Sequence, residues 1–309
     1  MRVLVTGGSG FIGSHVVDKL IENECKVRVF DRAKPLQEDV EWFNGDLLNE
    51  KDVLEACRDI EAIFHLAAIA DVNVALSNFD LCLLVNEMGT MNLLKAATAE
   101  EVERIILAST TWVYGRSKGV VNEDTPIPFP EHIYTKTKIG QEHLLYSWHQ
   151  HHGLPYTILR FDIPYGPRMR SNMAISIFAR RAMKKEPISI FGDGKQGRCW
   201  IYVEDLAEGN VAALSEGGKN QIVNLAGPDF VNMNQIVDAL KGIFGDIPVK
   251  YEPARPHDFE GSVTSIEKAK QLLKWKPKIP FSEGLRRYVD YVKKHSVWEL
   301  TLTNFQNPT

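Results

Sequence analysis

The opening residues constrain this chain more than any other stretch. Arg2-Val3-Leu4-Val5 has the apolar character of a buried strand, Thr6-Gly7-Gly8-Ser9-Gly10-Phe11-Ile12-Gly13 is a glycine-rich turn, and residues 14–23 follow with helical spacing. Strand, turn and helix in this order build a cradle for a dinucleotide. Gly7 permits the tight exit from the strand, Gly10 lets the backbone approach a pyrophosphate, and Gly13 lets the helix close on the sheet. Phe11 and Ile12 complete the turn, and the helix N-terminus offers free N–H groups and a positive dipole end to the phosphates. A second apolar strand at residues 27–30 ends in Asp31, about 20 residues beyond the glycines, where a carboxylate accepts hydrogen bonds from ribose hydroxyls and repels a 2′-phosphate. That acid selects NAD over NADP, while Arg32 beside it offers a guanidinium able to take the extra phosphate.

Further apolar strands at 62–66, 104–109 and 156–160 alternate with helical stretches at 50–58, 81–99 and 135–151. Alternation of this kind predicts a doubly wound parallel sheet with helices on both faces, a Rossmann-type α/β fold whose ligands lie at the C-terminal strand ends. The glycine turn, Asp31, Ala67-Ala68 and Ser109-Thr110 all fall at such ends. Beyond residue 165 proline and glycine become denser (Pro164, Gly166, Pro167, Pro187, Gly192, Gly194, Gly197) and the strands shorten. The expectation is an NAD-binding domain over residues 1–165, with 201–226 returning to it, and a smaller C-terminal α/β substrate lobe over 166–309. Residues 298–309 have little periodicity and read as a loose tail.

With 309 residues, 44% of them hydrophobic, the chain can bury a large core, and a formal net charge of −4 gives no reason to expect a nucleic-acid surface. Cys25, Cys57, Cys82 and Cys199 lack metal-type spacing and read as free thiols in a reducing compartment. His149, His151 and His152 sit at a predicted helix end, where imidazoles suit the dipole, so no metal is expected there. No apolar run approaches the roughly 18 residues that cross a membrane, and Met1 leads straight into a strand, so the expected location is cytoplasmic.

Tyr134-Thr135-Lys136-Thr137-Lys138 places Tyr134 and Lys138 on one face of a helix start. A free phenol, with a pKa of about 10, is a poor base at neutral pH, and a neighbouring ammonium lowers that value. Tyr134 can then take a proton from a hydroxyl or return one to a carbonyl.

These motifs together resemble an extended short-chain dehydrogenase/reductase of the NAD-dependent sugar epimerase/dehydratase family. The matching segments run from the glycine turn through Tyr134-x-x-x-Lys138 to Arg255-Pro256-His257-Asp258 and span nearly the whole chain. The resemblance implies further roles. Asp46-Leu47 is similar to the pair beside the adenine, and His65-Leu66-Ala67-Ala68 to the segment under the cofactor ribose. Asn86 is similar to the asparagine that braces the active-site strand, and Lys138 to the lysine that bonds the nicotinamide ribose. Thr110 takes the place of the catalytic hydroxyl, with Ser109 the neighbouring candidate. The family also pairs helices equivalent to 81–99 and 135–151 across a homodimer.

In this family the tyrosine removes a hydroxyl proton while the carbon's hydride passes to NAD. The dehydratases carry an Asp-Glu pair where this chain has Thr111-Trp112, and the decarboxylases carry a glutamate at Trp112. Elimination and decarboxylation therefore lack their acid/base groups, and the resemblance implies a nucleotide-sugar 4-epimerase. A dehydratase or keto-sugar reductase is the alternative, and an NAD-binding regulator without chemistry a remoter one. For the substrate, the segments holding Arg198 and Arg255 with Asp258 resemble those binding a nucleotide diphosphate; Asn172 and Arg168 are further candidates. Asp162 replaces the family's asparagine in Arg-x-x-Asn-x-Tyr-Gly-Pro. An aspartate only accepts hydrogen bonds, so either it faces a sugar hydroxyl or the substrate is unusual.

Overall fold

The computed structural model describes residues 1–254 and 260–295. Strands β1 (Arg2–Thr6), β2 (Lys26–Phe30), β3 (Glu41–Phe43), β4 (Ala62–His65), β5 (Arg104–Thr110), β6 (Tyr156–Phe161) and β7 (Gln221–Leu225) form one seven-stranded sheet in the order β7-β6-β5-β4-β1-β2-β3. All its pairings are parallel. β4, β5 and β6 are buried at every position, as expected for strands covered on both faces. The strand order reverses between β1 and β4, and this switch point opens a crevice at the carboxyl edge.

Helices α1 (Phe11–Glu22), α2 (Glu50–Ala56), α5 (Gly89–Ala99) and α6 (Ile133–His152) flank the sheet. Between α2 and α5 the chain runs through α3 (Val72–Ser77), α4 (Phe79–Leu83) and a π-helical turn, Leu84–Met88. The helix expected over 81–99 therefore begins two residues earlier and carries one widened turn. β3 was not foreseen: three residues, Glu41-Trp42-Phe43, largely exposed at a sheet edge, leave no periodic signal.

α8 (Val203–Ala212) packs on α1, and β7 extends the sheet beside β6, so residues from 201–226 complete this layer. Ala269, Leu273 and Trp275 join the same core face as Val3, Val5, Val16 and Leu20. A separate core gathers α7 (Ala174–Met183), α9 (Met233–Phe244) and α10 (Phe281–His295) around Ile175, Ile188, Ile236 and Leu285. Short strand pairs such as Gly197–Arg198 with Val231–Asn232 link this lobe's loops.

The histidines at the end of α6 serve the helix terminus. His149 Nδ1 lies 3.0 Å from the Leu154 carbonyl, His152 stacks on Trp148, and Gly153 closes the helix in the left-handed conformation. Among the described residues no cluster could hold a metal ion, and no helix is long and apolar enough to cross a membrane.

α1 sits so close to the turn that a Cβ on Gly13 would stand 2.0 Å from the Gly7 carbonyl oxygen and 2.8 Å from Gly8 Cα. Both obstacles are backbone, so a Gly13→Ala chain must displace α1. The expected cost is about 2 kcal/mol, read in calorimetry as a fall in melting temperature on the order of 5 °C.

Candidate active site

Two adjoining cavities occupy the carboxyl edge of the sheet. The first, of about 290 Å³, is lined by Gly7 and Gly10 of the turn, Asp31 and Arg32 after β2, Asp46 and Leu47 before α2, and Leu66, Ala67 and Ala68 after β4. Gly7 has φ +72, and a Cβ there would meet Ala67 N at 2.7 Å, so only glycine allows the turn to lie against the β4 loop. Leu81 and Val85 close the far side; sequence reading missed both, because they come from the exposed flank of a helix. The Asp31 carboxylate accepts from Ser9 N–H at 3.1 Å and Ala33 N–H at 3.0 Å, which fixes it at the rim. A narrow glycine cradle with an acid at its rim fits a dinucleotide whose ribose hydroxyls donate to Asp31. Gly13 lies behind this wall, and Phe11 and Ile12, expected at the cofactor, line the neighbouring cavity instead.

That second cavity, of about 380 Å³, is lined by Ser109, Thr110, Trp112 and Tyr134 from the first layer and by Asp162, Arg170 and Asn172 from the segment after β6, and so gathers the candidate reacting groups. β5 ends at Thr110, whose Oγ1 accepts from Trp112 N–H at 3.2 Å and so caps the short turn Thr111–Tyr114. The same hydroxyl faces the cavity beside Tyr134, which stands in the first turn of α6. Lys138, one turn on, donates its Nζ to the Ala108 carbonyl at 2.8 Å and lies 6.0 Å from the centre of the Tyr134 ring.

Burial pushes the Tyr134 phenol up to about 12, opposed by the positive charge of Arg170 and by the Thr110 hydroxyl. It brings the Lys138 ammonium down to about 8, opposed by the negative charge of Glu142. Burial dominates the phenol's shift, while the Lys138 ammonium one turn away is engaged with the Ala108 carbonyl.

A polar frame stands behind these groups. Asn86, in the π turn and fully buried, accepts from Ile69 N–H at 2.8 Å and donates to Thr137 Oγ1 at 2.9 Å, tying the β4 loop to α6. It braces the site from behind and lines neither cavity. Thr90 donates to the Asn86 carbonyl, so it must accept from His65 Nε2, 2.9 Å away. His65 Nδ1 then accepts from Thr6 Oγ1 at 2.8 Å. Burial, with a smaller push from Lys138, lowers His65 to about 3, which keeps it in this neutral form. On the other side Ser109 Oγ donates to Glu142, which also holds Arg160 in a buried ion pair at 2.7 Å.

The remaining candidates divide. Asp162 is buried; its carboxylate accepts from Thr264 Oγ1 at 2.7 Å and Ile163 N–H at 2.8 Å, and burial holds its carboxyl above the ordinary range. The expected free acceptor for substrate is therefore already engaged. Thr111 is buried and lines neither cavity. Arg198 donates to its neighbour's carbonyl, Gly197 O, at 2.6 Å, and its charge reaches Asp162 from outside the lining. Arg168 pairs with Asp18 at 2.7 Å, away from the cavity. Arg255 and Asp258 lie outside the described residues. Asp71 and Arg170 were missed: a helix cap and one loop arginine give no sign of meeting until the lobes are folded together.

The geometry can be set against known proteins. A model of the NAD dependent epimerase/dehydratase family matches residues 3–226. The chain is 34% identical to the UDP-glucuronate 4-epimerase of Thermodesulfobacterium geofontis, over 94% of its own length and 96% of that protein. The crystal structure of UDP-glucose 4-epimerase from Thermotoga maritima with UDP-glucose superposes with a TM-score of 0.89 at 34% identity, covering 95% of this chain and 99% of that one. The UDP-glucuronic acid 4-epimerase of Bacillus cereus, in complex with UDP-glucuronic acid and NAD, gives 0.89 at 32% identity with the same coverage. A UDP-glucuronic acid decarboxylase of Xenopus tropicalis is also similar, at 31% identity over 95% of this chain and 72% of that protein.

Lys138 yields a stability prediction. Its folded pKa of about 8 lies below the ordinary 10.5, so between these values the unfolded chain binds the extra proton and stability rises with pH. A Lys138→Met protein is expected to be more stable than wild type by up to about 3 kcal/mol at pH 7. The gap should close between pH 8 and 10.5 in denaturant titrations run across that range.

Proposed function

The chain belongs to the NAD dependent epimerase/dehydratase family, and from that premise we propose that it is a nucleotide-sugar 4-epimerase working through Thr110, Tyr134 and Lys138. The observation that carries the reading is the state of the carboxylates around the reacting cavity. Among the described residues that line it, these are Asp71 and Asp162. Asp71 caps α3 and accepts from Asn172, while Asp162 is held by Thr264 and Ile163. Neither is free to move protons at C5 or C6, as dehydration requires, and Trp112 occupies the place where decarboxylases carry glutamate. Epimerisation asks only for one proton shuttle and a ketone that turns over in the site.

Tyr134 removes the proton from the C4 hydroxyl while Thr110 hydrogen-bonds the reacting oxygen. NAD, which the Gly7–Gly10 turn and Asp31 would hold, would supply the hydride acceptor and donor for C4. Tyr134 then gives its proton back, so the cycle has no net redox change. Asp31 holds the ribose, Lys138 keeps the first turn of α6 against β5, and Trp112 walls the sugar from solvent. The nucleotide is proposed as uridine diphosphate on the names of the relatives, and Arg170 gives an acidic ring a counter-charge, so UDP-glucuronate belongs beside UDP-glucose among the substrates tried. The reading includes a homodimer through the helices over 81–99 and 135–151, where Leu81, Leu84, Met88 and Tyr146 are exposed.

Proton NMR of the NAD-loaded protein with UDP-, dTDP-, GDP- and CDP-sugars in deuterated buffer tests the reaction. The expected product is the C4 epimer without deuterium at C5 or C6, and Tyr134→Phe should lower the rate by a factor on the order of 10³. A 4-keto product carrying deuterium would overturn the assignment in favour of a dehydratase.

A further inference from the structure

One ion pair lies inside the first layer and lines neither cavity. Arg160 on β6 and Glu142 on α6 have side chains 3% and 5% exposed, and the guanidinium meets both carboxylate oxygens, Nε at 3.0 Å and Nη2 at 2.7 Å. The desolvation of a buried pair can exceed the attraction gained, and apolar side chains of similar volume hold a helix on a sheet at least as well. What the pair adds to packing is direction. A forked donor and a two-oxygen acceptor fix neighbouring polar groups at set angles.

Those neighbours bracket Thr110. Before it, Ser109 Oγ donates to Glu142. After it, in the turn Thr111–Tyr114, the Tyr114 hydroxyl accepts from Arg160 Nη1 at 3.1 Å and donates to Asn224 Oδ1 on β7 at 2.7 Å. The strand register agrees: Ser109 lies opposite Arg160, and Thr110 opposite Phe161. On α6, Glu142 stands about two turns beyond Tyr134 and one turn beyond Lys138, whose Nζ holds the Ala108 carbonyl at 2.8 Å. Lys138 and Glu142 share one face of the helix and bind consecutive residues of β5, Ala108 and Ser109. Helix and strand end are therefore bolted at two points, and the next residue along the strand is Thr110.

We propose that Glu142 and Arg160 are positioning residues: by holding Ser109 on one side of Thr110 and Tyr114 on the other, the pair fixes the Thr110 hydroxyl against the Tyr134 phenol. The inference rests on the epimerase reading for the use made of this alignment, though not for its measurement. In that reading both hydroxyls must meet one reacting oxygen, so an error in their spacing slows the chemical step and leaves binding alone. The pair works with Lys138, because it keeps in place the strand end that Lys138 grips.

The test replaces the pair by apolar side chains, Glu142→Leu with Arg160→Met, in the NAD-loaded protein. Removing both charges together strands neither ion, so the double variant is expected to melt no lower than wild type and to bind NAD as tightly. Its kcat should fall by a factor of about 10 to 100, equally across the pH profile, with KM within about twofold. A second readout needs no substrate: a nuclear Overhauser contact between the Thr110 methyl and the Tyr134 ring, followed in protein labelled at threonine methyls and tyrosine rings, should weaken in the double variant. Tyr114→Phe keeps the ion pair and removes a hydroxyl it holds, so it should move both readouts the same way by less. An unchanged Overhauser contact in the folded double variant overturns the proposal, and an unmoved Tyr114→Phe overturns it where the double variant fails to fold. A displaced pH limb with an unchanged plateau also overturns it, since the pair would then act through its charges. A weakened contact in a protein that turns over no nucleotide-sugar leaves the alignment standing and counts against the epimerase reading alone.

Discussion

The chemistry of this site depends on the burial of two ionisable groups in the first turns of one helix. Desolvation acts on Tyr134 and Lys138 in opposite directions on the pKa scale and in the same direction on charge: both are driven toward neutrality. A neutral phenol beside a weakened ammonium is a resting pair. It becomes a base only when positive charge is brought to the cavity or the phenol's proton is drawn off by a hydrogen-bonded partner. Thr110 stands beside the phenol, and the cationic groups around it are Lys138, 6.0 Å from the ring centre, and Arg170 across the cleft. Burial thus makes the phenol sensitive to whatever charge stands beside it.

Holding such a pair against the sheet requires a frame that does not itself titrate. The chain provides one from neutral groups that lock each other's proton positions. Thr90 gives its proton to the Asn86 carbonyl, so His65 must donate to Thr90 and accept from Thr6. With His65 lowered to about 3, the order is fixed through the whole physiological range. The π turn matters here: widening the helix at Leu84–Met88 turns Asn86 inward, where its amide joins Ile69 to Thr137 and so joins the dinucleotide floor to the helix of Tyr134. The cradle and the turn holding Tyr134 are thereby tied by hydrogen bonds of 2.8 and 2.9 Å.

The sheet, the glycine cradle and the placing of Tyr134 beside Thr110 and Lys138 are legible in the sequence because each rests on local pattern. Gly7, Gly10 and Gly13 answer to backbone geometry within one turn; Tyr134 and Lys138 answer to the helical repeat. Contacts made by the second lobe were not legible. From the sequence, either Asp162 faces a sugar hydroxyl or the substrate is unusual; that Thr264, 102 residues further on, reaches back to donate to its carboxylate leaves no local trace. Arg168 drew notice and Arg170 did not, although the first is spent on Asp18 and the second lines the cavity. Nothing in Arg168-Met169-Arg170 distinguishes them until the left-handed backbone at Arg168 sends the two side chains apart.

The way the carboxylates are tied also narrows what chemistry one fold can run. Dehydration and decarboxylation need an acid or base that can change protonation beside C5 or C6. Here Asp162 is clamped between a hydroxyl and a backbone N–H, and Asp71 between a helix N-terminus and an asparagine amide. Each carboxylate has exchanged mobility for a structural bond, and each bond draws together segments distant in sequence. Among the described residues lining the cavity, Tyr134 is the remaining proton-transfer group on the proposed reading, and Trp112 forms a wall with no proton to offer a carbon acid. On the proposed reading, what the site selects among sugars depends on the shape left between Trp112 and Arg170.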